Sequence, residues 1–258
     1  MKASAYKRTA RRERERAAVL TRRYSCDEMI HALARDFQST GYVHLPGLLR
    51  TEIFGLAFLE MMELKQRAKP RHFLMPGFET ERRLRTVGGQ VIRSTAPGLV
   101  NLYSNSELRR LLVLLTGAEV HPCANAQEFI VANFLSEPGA THGWHLDDPP
   151  YALILFFESP SAGHGGELEF IPNWHRFCLT RSLDPCHAVE RPAELGRREG
   201  LVQVRHHEVG DAYLLRADTC LHRVTPLTTP SDNRGVINMA FEAGFRVDYG
   251  KTASRLYD

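Results

Sequence analysis

Residues 142–157 read His142-Gly-Trp-His-Leu-Asp-Asp-Pro-Pro-Tyr-Ala-Leu-Ile-Leu-Phe-Phe157. The second half, Tyr151–Phe157, is an apolar run of strand length and reads as a core strand. The first half gathers potential metal ligands directly ahead of it. Further short β-rich runs surround it, at Gln127–Leu135, Gly166–Ile171, Val202–His206, Ala212–Arg216, His222–Pro226 and Val236–Phe241. Gly165-Gly166 and Gly210-Asp211 are turn signals placed just before strands. Upstream the texture is helical. Asp27–Phe37, Thr51–Arg67 and Ser106–Gly117 carry apolar residues at helical spacing, with Asp27 and Ser106 as expected caps and Gly117 as a stop. Gly41–Gly47 reads as a short strand between the first two helices. Pro70–Gly98 is expected to be loop-rich, and Arg176–Gly200 to be a long loop with one short helix, Ala188–Arg198. Short strands after a helical first half predict a mainly β fold with flanking α-helices, a β-sandwich or jelly roll.

The chain has 258 residues, enough for one sizeable core and short for two ordinary domains. Hydrophobic residues make up 43% and charged ones 24%, the balance of a soluble globular chain. No apolar run approaches the ~18 residues of a membrane span, and the N-terminus has no apolar secretion segment. Five cysteines, odd in number and without a CxxC pair, argue against a disulfide scaffold or zinc knuckle and suit a reducing cytoplasm. The net charge of +3 is uneven: residues 1–23 carry nine Lys/Arg against two Glu, a net +7 that leaves −4 for the rest. We therefore expect a basic N-terminal arm, 1–23, ahead of a single domain, 24–258. Mixed Arg and Glu in Arg11–Arg16 suit a solvated helical arm. No other basic stripe follows, which argues against a nucleic-acid partner.

In a strand, residues i and i+2 share a face, so His145 and Asp147 project together, an imidazole beside a carboxylate. That pair lacks one member of the two-His, one-carboxylate triad that holds non-haem Fe(II). His222, opening a later β run, can supply it. Such a triad leaves three open positions on an octahedral metal, enough for a bidentate cosubstrate and dioxygen. A lone His-x-Asp is a weak signal, and His206-His207-Glu208 offers the similar His-x-Glu spacing. Context separates the two. His145 and Asp147 open a core strand, whereas the rival precedes the Gly210-Asp211 turn and reads as a solvated strand end.

The order of the later segments is more specific. Gly165-Gly-Glu-Leu-Glu-Phe-Ile-Pro172, Gly210-Asp-Ala-Tyr-Leu-Leu215, His222-Arg-Val-Thr-Pro-Leu227 and Arg234-Gly-Val-Ile-Asn238 follow the His145/Asp147 pair. Together they resemble the successive strands of Fe(II)/2-oxoglutarate-dependent oxygenases. The resemblance covers about Gln127 to Phe245. It implies a double-stranded β-helix, a cupin-like jelly roll, with the metal-binding core at about 127–245. Within that superfamily, His142–Asp148 and His222–Met239 resemble the radical halogenases and hydroxylases of free lysine and related amino acids. In the halogenases glycine replaces the metal-binding carboxylate and chloride takes the vacated site. Asp147 stands at that position here, which implies a hydroxylase.

The resemblance makes His145, Asp147 and His222 the iron ligands. It makes Arg234 the partner of the far carboxylate of 2-oxoglutarate, a contact that a planar guanidinium suits. It places Glu128, His142, Asp148 and Asn238 around an amino-acid substrate. One arginine of the Arg82–Arg85 cluster, Arg83 first, would hold the substrate α-carboxylate; sequence does not separate Arg83 from Arg85. Leu146, Pro149-Pro150 and Ala240 depart from the lysine halogenases and alter the pocket wall while leaving its acids in place.

The implied chemistry consumes 2-oxoglutarate and O2 and releases succinate and carbon dioxide. It proceeds through an Fe(IV)-oxo species that takes hydrogen from an unactivated C–H bond. The expected substrate is a free cationic amino acid such as lysine, ornithine or arginine. A carrier-bound or peptide substrate is the alternative within the same chemistry. Outside it stands a cupin-like metal-binding protein without turnover, which has no need of a buried arginine twelve residues after its distal histidine. Zinc-dependent hydrolysis lacks a general base at a defined spacing. The simple alternative for Glu128 and Asp148 is a pair of solvated loop acids, and for Trp144 it is core packing. The helical first half offers a surface for a homodimer.

Overall fold

Residues 18–244, 247, 249–250 and 252–257 are described by the computed structural model of the chain. Most of the basic arm expected at 1–23 lies outside the described residues, and only 18–23 fall within them. Among the described residues no helix is long and apolar enough to cross a membrane.

Among the described residues twelve strands, all paired antiparallel, form one continuous sheet. They are β1 (Tyr42–Leu45), β2 (Lys69–Met75), β3 (Thr80–Val87), β4 (His121–Pro122), β5 (Ile130–Leu135), β6 (Thr141–His145), β7 (Tyr151–Glu158), β8 (Leu168–Ile171), β9 (Gln203–Arg205), β10 (Ala212–Arg216), β11 (Leu221–Val224) and β12 (Arg234–Glu242). Their order is β1-β10-β7-β12-β5-β3-β6-β11-β8-β9, with β2 on β3 and β4 on β12. Strand β3 joins the larger wall, ending at β5, to the smaller wall that begins at β6. The helices are α1 (Asp27–Thr40), α2 (Thr51–Arg67), α3 (Gly89–Thr95), α4 (Pro97–Tyr103), α5 (Ser106–Thr116), α6 (Trp174–Leu179), α7 (Glu190–Arg198) and α8 (Thr252–Tyr257).

Strand β7 shows why Tyr151–Phe157 is apolar throughout. Leu153, Leu155 and Phe157 belong to the core shared with α1, α2, α4 and α5. Ala152, Ile154 and Phe156 pack instead with Leu168 and Phe170 of β8, across the space between the walls. A strand covered on both faces needs no polar alternation. Each of the Leu, Ile and Phe side chains contributes ~1.5–3 kcal/mol of burial, so the helical layer and the second wall both hold β7 in place. This is the double-stranded β-helix with flanking helices.

The helices follow from apolar spacing and end chemistry. Helix α1 buries Ile30, Ala34 and Phe37 and stops at Gly41, whose φ is 71°. A side chain there would also meet Cys220 Sγ at 2.6 Å. Helix α5 starts on Asn105, whose side chain accepts from the Glu107 and Leu108 N–H groups. The expected cap, Ser106, is instead the first helical residue.

Two stretches differ from the sequence expectation. Pro70–Gly98 is not mainly loop, because β2 and β3 form a hairpin and α3 follows it. Strand β2 pairs only with β3, and an edge strand tolerates Pro70. The second stretch, 176–200, is bracketed by α6 and α7. Trp174, Phe177 and Cys178 of α6, Val189 just ahead of α7 and Ala193 within it pack against Trp144, Ile171 and Leu221. Trp144 is thus a core residue, 2% exposed.

Candidate metal centre and substrate cavity

Strands β6 and β11 bring the two histidines of the triad together, because His145 lies directly opposite His222. The pairing then shifts: Val224 faces His142, so three steps along β6 match two along β11. In a regular strand His142 and His145 would point to opposite faces. The bulge turns both inward, and their rings stack with centroids 4.1 Å apart. Gly143 lies inside this irregular stretch. A Cβ there would sit 2.7 Å from the Glu81 carbonyl oxygen of β3.

Asp147 follows the end of β6 and is tied down by its own N–H, which donates to the Ala217 carbonyl at 3.0 Å. Its Oδ1 lies 3.4 Å from His145 Nε2 and 3.9 Å from His222 Nε2. Ligand atoms from all three residues lie within 4.8 Å of one another. Each imidazole is oriented from behind. His145 Nδ1 is 2.7 Å from the Gly143 carbonyl oxygen, and His222 Nδ1 is 3.0 Å from that of Cys220. A carbonyl only accepts, so Nδ1 carries the proton and the Nε2 lone pairs face the shared point.

The electrostatics suit a cation there. Burial, reinforced by the neighbouring His142 and His222, holds His145 well below the usual histidine range. Burial likewise lowers His222 to about 4. Burial and then Asp148 push Asp147 up to about 7. Two neutral imidazoles and a carboxylate short of positive charge form a donor set that fits Fe(II).

Arg234, at the start of β12, is 2% exposed and lines the same cavity. Its guanidinium sits over the Phe156 ring, 4.9 Å from the centroid, and pairs with the Tyr213 hydroxyl. Its Nε has no partner. A buried cation with a spare donor and an adjacent phenol is a carboxylate site, which fits the distal end of 2-oxoglutarate. Gly166 makes the room: its φ is 75°, and a Cβ there would lie 2.8 Å from Pro160 and 3.4 Å from Arg234 Cδ.

Of the residues expected around the substrate, Glu128, His142 and Asn238 line the cavity. Each has a buried polar atom without a partner: Glu128 Oε2, His142 Nε2 and Asn238 Oδ1. Burial, then Asp147 and Asp148, raise the Glu128 carboxyl to about 8. Asp148 is set back from this wall, and its Oδ2 accepts the Gly250 N–H at 2.9 Å.

Arg83 requires a correction. Strand alternation points it away from the cavity, where its Nε donates to Glu137 Oε1 at 2.9 Å. Arg85 shares that outward face and donates to the Ala68 carbonyl. Arg82 is the inward arginine, 0% exposed, directly across from His142, with Nε and Nη2 unpartnered. Sequence reading held it within the Arg82–Arg85 cluster but put Arg83 first, and it missed Asn133, Tyr213 and Tyr257 as cavity residues. Recognising β3 as a strand would have singled out Arg82 by parity alone.

The rival triplet also differs from expectation. His207 is no solvated strand end but a core residue, 2% exposed, with Nε2 2.9 Å from the Tyr42 hydroxyl and its ring stacked on Phe156. Burial drives its pKa to about 2. His206 pairs with Glu208 at 3.2 Å.

The sequence profile of a family described as HalD, halogenase D, matches residues 25–256. Among solved structures, AviO1 from Streptomyces viridochromogenes Tue57 superposes with a TM-score of 0.61 at 18% identity, over 90% of this chain and 99% of that one. HygX from Streptomyces hygroscopicus, solved with nickel and 2-oxoglutarate bound, gives 0.59 at 13% identity over 85% of this chain and 89% of that one. SnoN, described as a non-heme alpha ketoglutarate dependent epimerase from nogalamycin biosynthesis, gives 0.58 at 16% identity over 84% and 83%. At these identities the likeness is one of fold. No curated protein sequence matches the chain.

Proposed function

The chain belongs to the halogenase D family, and on that footing we propose that it is a non-haem Fe(II)/2-oxoglutarate-dependent oxygenase that hydroxylates a free cationic amino acid. The observation that carries this reading is the convergence of His145 Nε2, His222 Nε2 and Asp147 Oδ1 in one cavity with the buried Arg234–Tyr213 pair. Solved proteins of the same fold that hold 2-oxoglutarate beside a metal support it.

When bound, Fe(II) with 2-oxoglutarate and O2 supplies an oxidant able to break an unactivated C–H bond, with succinate and carbon dioxide released. The protein's part is placement. His145, Asp147 and His222 would hold the metal through their converging ligand atoms. Arg234 and Tyr213 hold the far carboxylate of 2-oxoglutarate. Glu128, His142 and Asn238 offer polar atoms to an amino acid, and Asp148 adds negative charge nearby. Arg82, rather than Arg83, is the arginine placed for the substrate α-carboxylate, since two of its donors lack acceptors. Anchoring both ends fixes which carbon faces the metal. Asp147 favours oxygen insertion over halogenation, because a carboxylate occupies the position a halide would need.

The experiment is aerobic incubation of the purified protein with Fe(II), ascorbate, 2-oxoglutarate and a panel of free amino acids, read by mass spectrometry. A 2-oxoglutarate-dependent product heavier by a single oxygen atom supports the proposal. A chlorinated product, or no product and no succinate, contradicts it.

A further inference from the structure

Arg234 and Tyr213 line the cavity, but what holds them lies deeper between the walls. The Arg234 guanidinium has two supports. It sits over the Phe156 ring, 4.9 Å from the centroid, and it pairs with the Tyr213 hydroxyl. Tyr213 lies opposite Ile154 across the β10–β7 ladder, so Phe156 is its diagonal neighbour on the same face. Their rings are 5.9 Å apart at 51°.

The ring of His207 touches both supports. It stacks on Phe156 with centroids 4.8 Å apart and an interplanar angle of 19°, and its centroid is 4.7 Å from that of Tyr213. Its backbone is anchored at the end of β7. The Ser159 hydroxyl donates to the His207 carbonyl at 2.5 Å. Further along the same loop, the Gly210 N–H donates to the Phe156 carbonyl, and the Phe156 N–H donates to the Asp211 carbonyl, each at 2.9 Å. Burial keeps His207 neutral, so it adds no second charge beside Arg234.

Packing alone does not call for a histidine here. A leucine or phenylalanine would fill the space without bringing polar atoms into it. What the imidazole adds is a fixed ring plane. Its Nε2 is 2.9 Å from the hydroxyl of Tyr42 on β1, and the Tyr42 ring is itself stacked on Phe170 of β8, with centroids 5.0 Å apart. A phenyl ring is set by shape only, whereas an imidazole bonded through a nitrogen is also set by direction. The contacts therefore run from the edge strand β1, across His207, to the two groups that carry the guanidinium.

Resting on the oxygenase reading above, we propose that His207, locked by Tyr42, is a positioning residue for the cosubstrate. It does not line the cavity. It acts through Phe156 and Tyr213, and it holds Arg234 in the pose that receives the far carboxylate of 2-oxoglutarate.

The test is anaerobic titration of the Fe(II)-loaded full chain with 2-oxoglutarate, read by the visible charge-transfer band of the chelated 2-oxo acid. It compares wild type, His207→Leu, Arg234→Ala and the double variant. His207→Leu should weaken 2-oxoglutarate about five- to tenfold, the scale of one lost aromatic pair, while iron still binds at a single ion per chain. In the Arg234→Ala background the same change should have no further effect, because the group it positions is gone. Tyr42→Phe removes only the hydroxyl that fixes the ring. It should weaken 2-oxoglutarate about threefold, and only while Arg234 is present.

A purely structural histidine would give equal losses with and without Arg234, and that result overturns the proposal. So does unchanged 2-oxoglutarate affinity in both His207→Leu and Tyr42→Phe. If His207→Leu does not fold, Tyr42→Phe decides alone. If wild type binds iron but develops no band, the oxygenase reading itself falls and takes the proposal with it. A normal wild-type band with equal affinities in the variants overturns the proposal and leaves that reading standing.

Discussion

On the proposed reading, Asp147 carries the distinction between inserting oxygen and inserting halide. Replacing it with glycine removes a ligand whose Oδ1 lies 3.4 Å from His145 Nε2. Asp147→Gly is expected to abolish hydroxylation and, with chloride present, to permit weak chlorination, both read by mass spectrometry. Retained hydroxylation would remove Asp147 from the ligand set. The two adjacent arginines give a sharper contrast. Arg82→Leu should raise the KM for substrate about tenfold or more, because a charged hydrogen bond is worth ~1.5–3 kcal/mol. Arg83→Leu should leave KM unchanged, since Arg83 only pairs with the half-exposed Glu137. At this scale the sequence was legible wherever identity and order suffice. His145, Asp147, His222 and Arg234 stand in motifs whose order can be read off the chain. Arg82 could not be told from Arg83 that way, nor could places in the cavity be assigned to Asn133, Tyr213 and Tyr257, because these depend on strand parity and on which partner occupies the other half of each side chain.

The unit that matters most among the elements is the β6–β11 pair. Its bulge puts His142 and His145 on one face, and it depends on a missing side chain at 143. Gly143→Ala should destabilise the protein by ~1–3 kcal/mol, the cost of overpacking against the β3 backbone. Differential scanning calorimetry checks this, and an unchanged Tm would show that β3 can shift aside. His207 gives the space between the walls a pH signature. Its folded pKa of about 2 lies below the ~6.5 of an unfolded histidine. As pH falls below ~6.5, the unfolded chain takes up a proton that the folded chain refuses, so stability is lost progressively toward acid. Thermal melts from pH 7.5 to 5 should therefore fall more steeply for wild type than for His207→Gln. Parallel curves would mean that His207 is protonated in the fold. Neither feature was readable in advance. A bulge changes the side-chain period without changing composition, and His207 follows a polar neighbour at what looks like a strand end. The hairpin Lys69–Thr86 was hidden for a related reason, because prolines, glycines and alternating arginines look like loop until edge pairing is known.

For the molecule as a whole, one sheet of two facing walls is backed by helices α1–α5 on the larger wall and by α6 and α7 beside the smaller. The double burial of β7 was legible in its unbroken apolar run, and so were the helices α1, α2 and α5 of the first half. The path of β3 between the walls was not, because long-range pairing leaves no local mark. That path sets Arg82 across from His142, and it lets Thr86 Oγ1 donate to the backbone carbonyl of Leu256, a residue of the cavity wall. The site is thus assembled from segments between residues 80 and 257, and its central claim is a metal centre served by a cosubstrate arginine. The most direct measurement is anaerobic titration of the metal-free full chain with Fe(II) and then 2-oxoglutarate, followed by the visible charge-transfer absorption of the chelated 2-oxo acid. We expect a single Fe(II) per chain and appearance of the band on adding 2-oxoglutarate. Arg234→Ala should keep the iron but need about tenfold or more 2-oxoglutarate to develop the band. Absence of iron binding, or iron bound equally well after loss of both His145 and His222, would contradict the account.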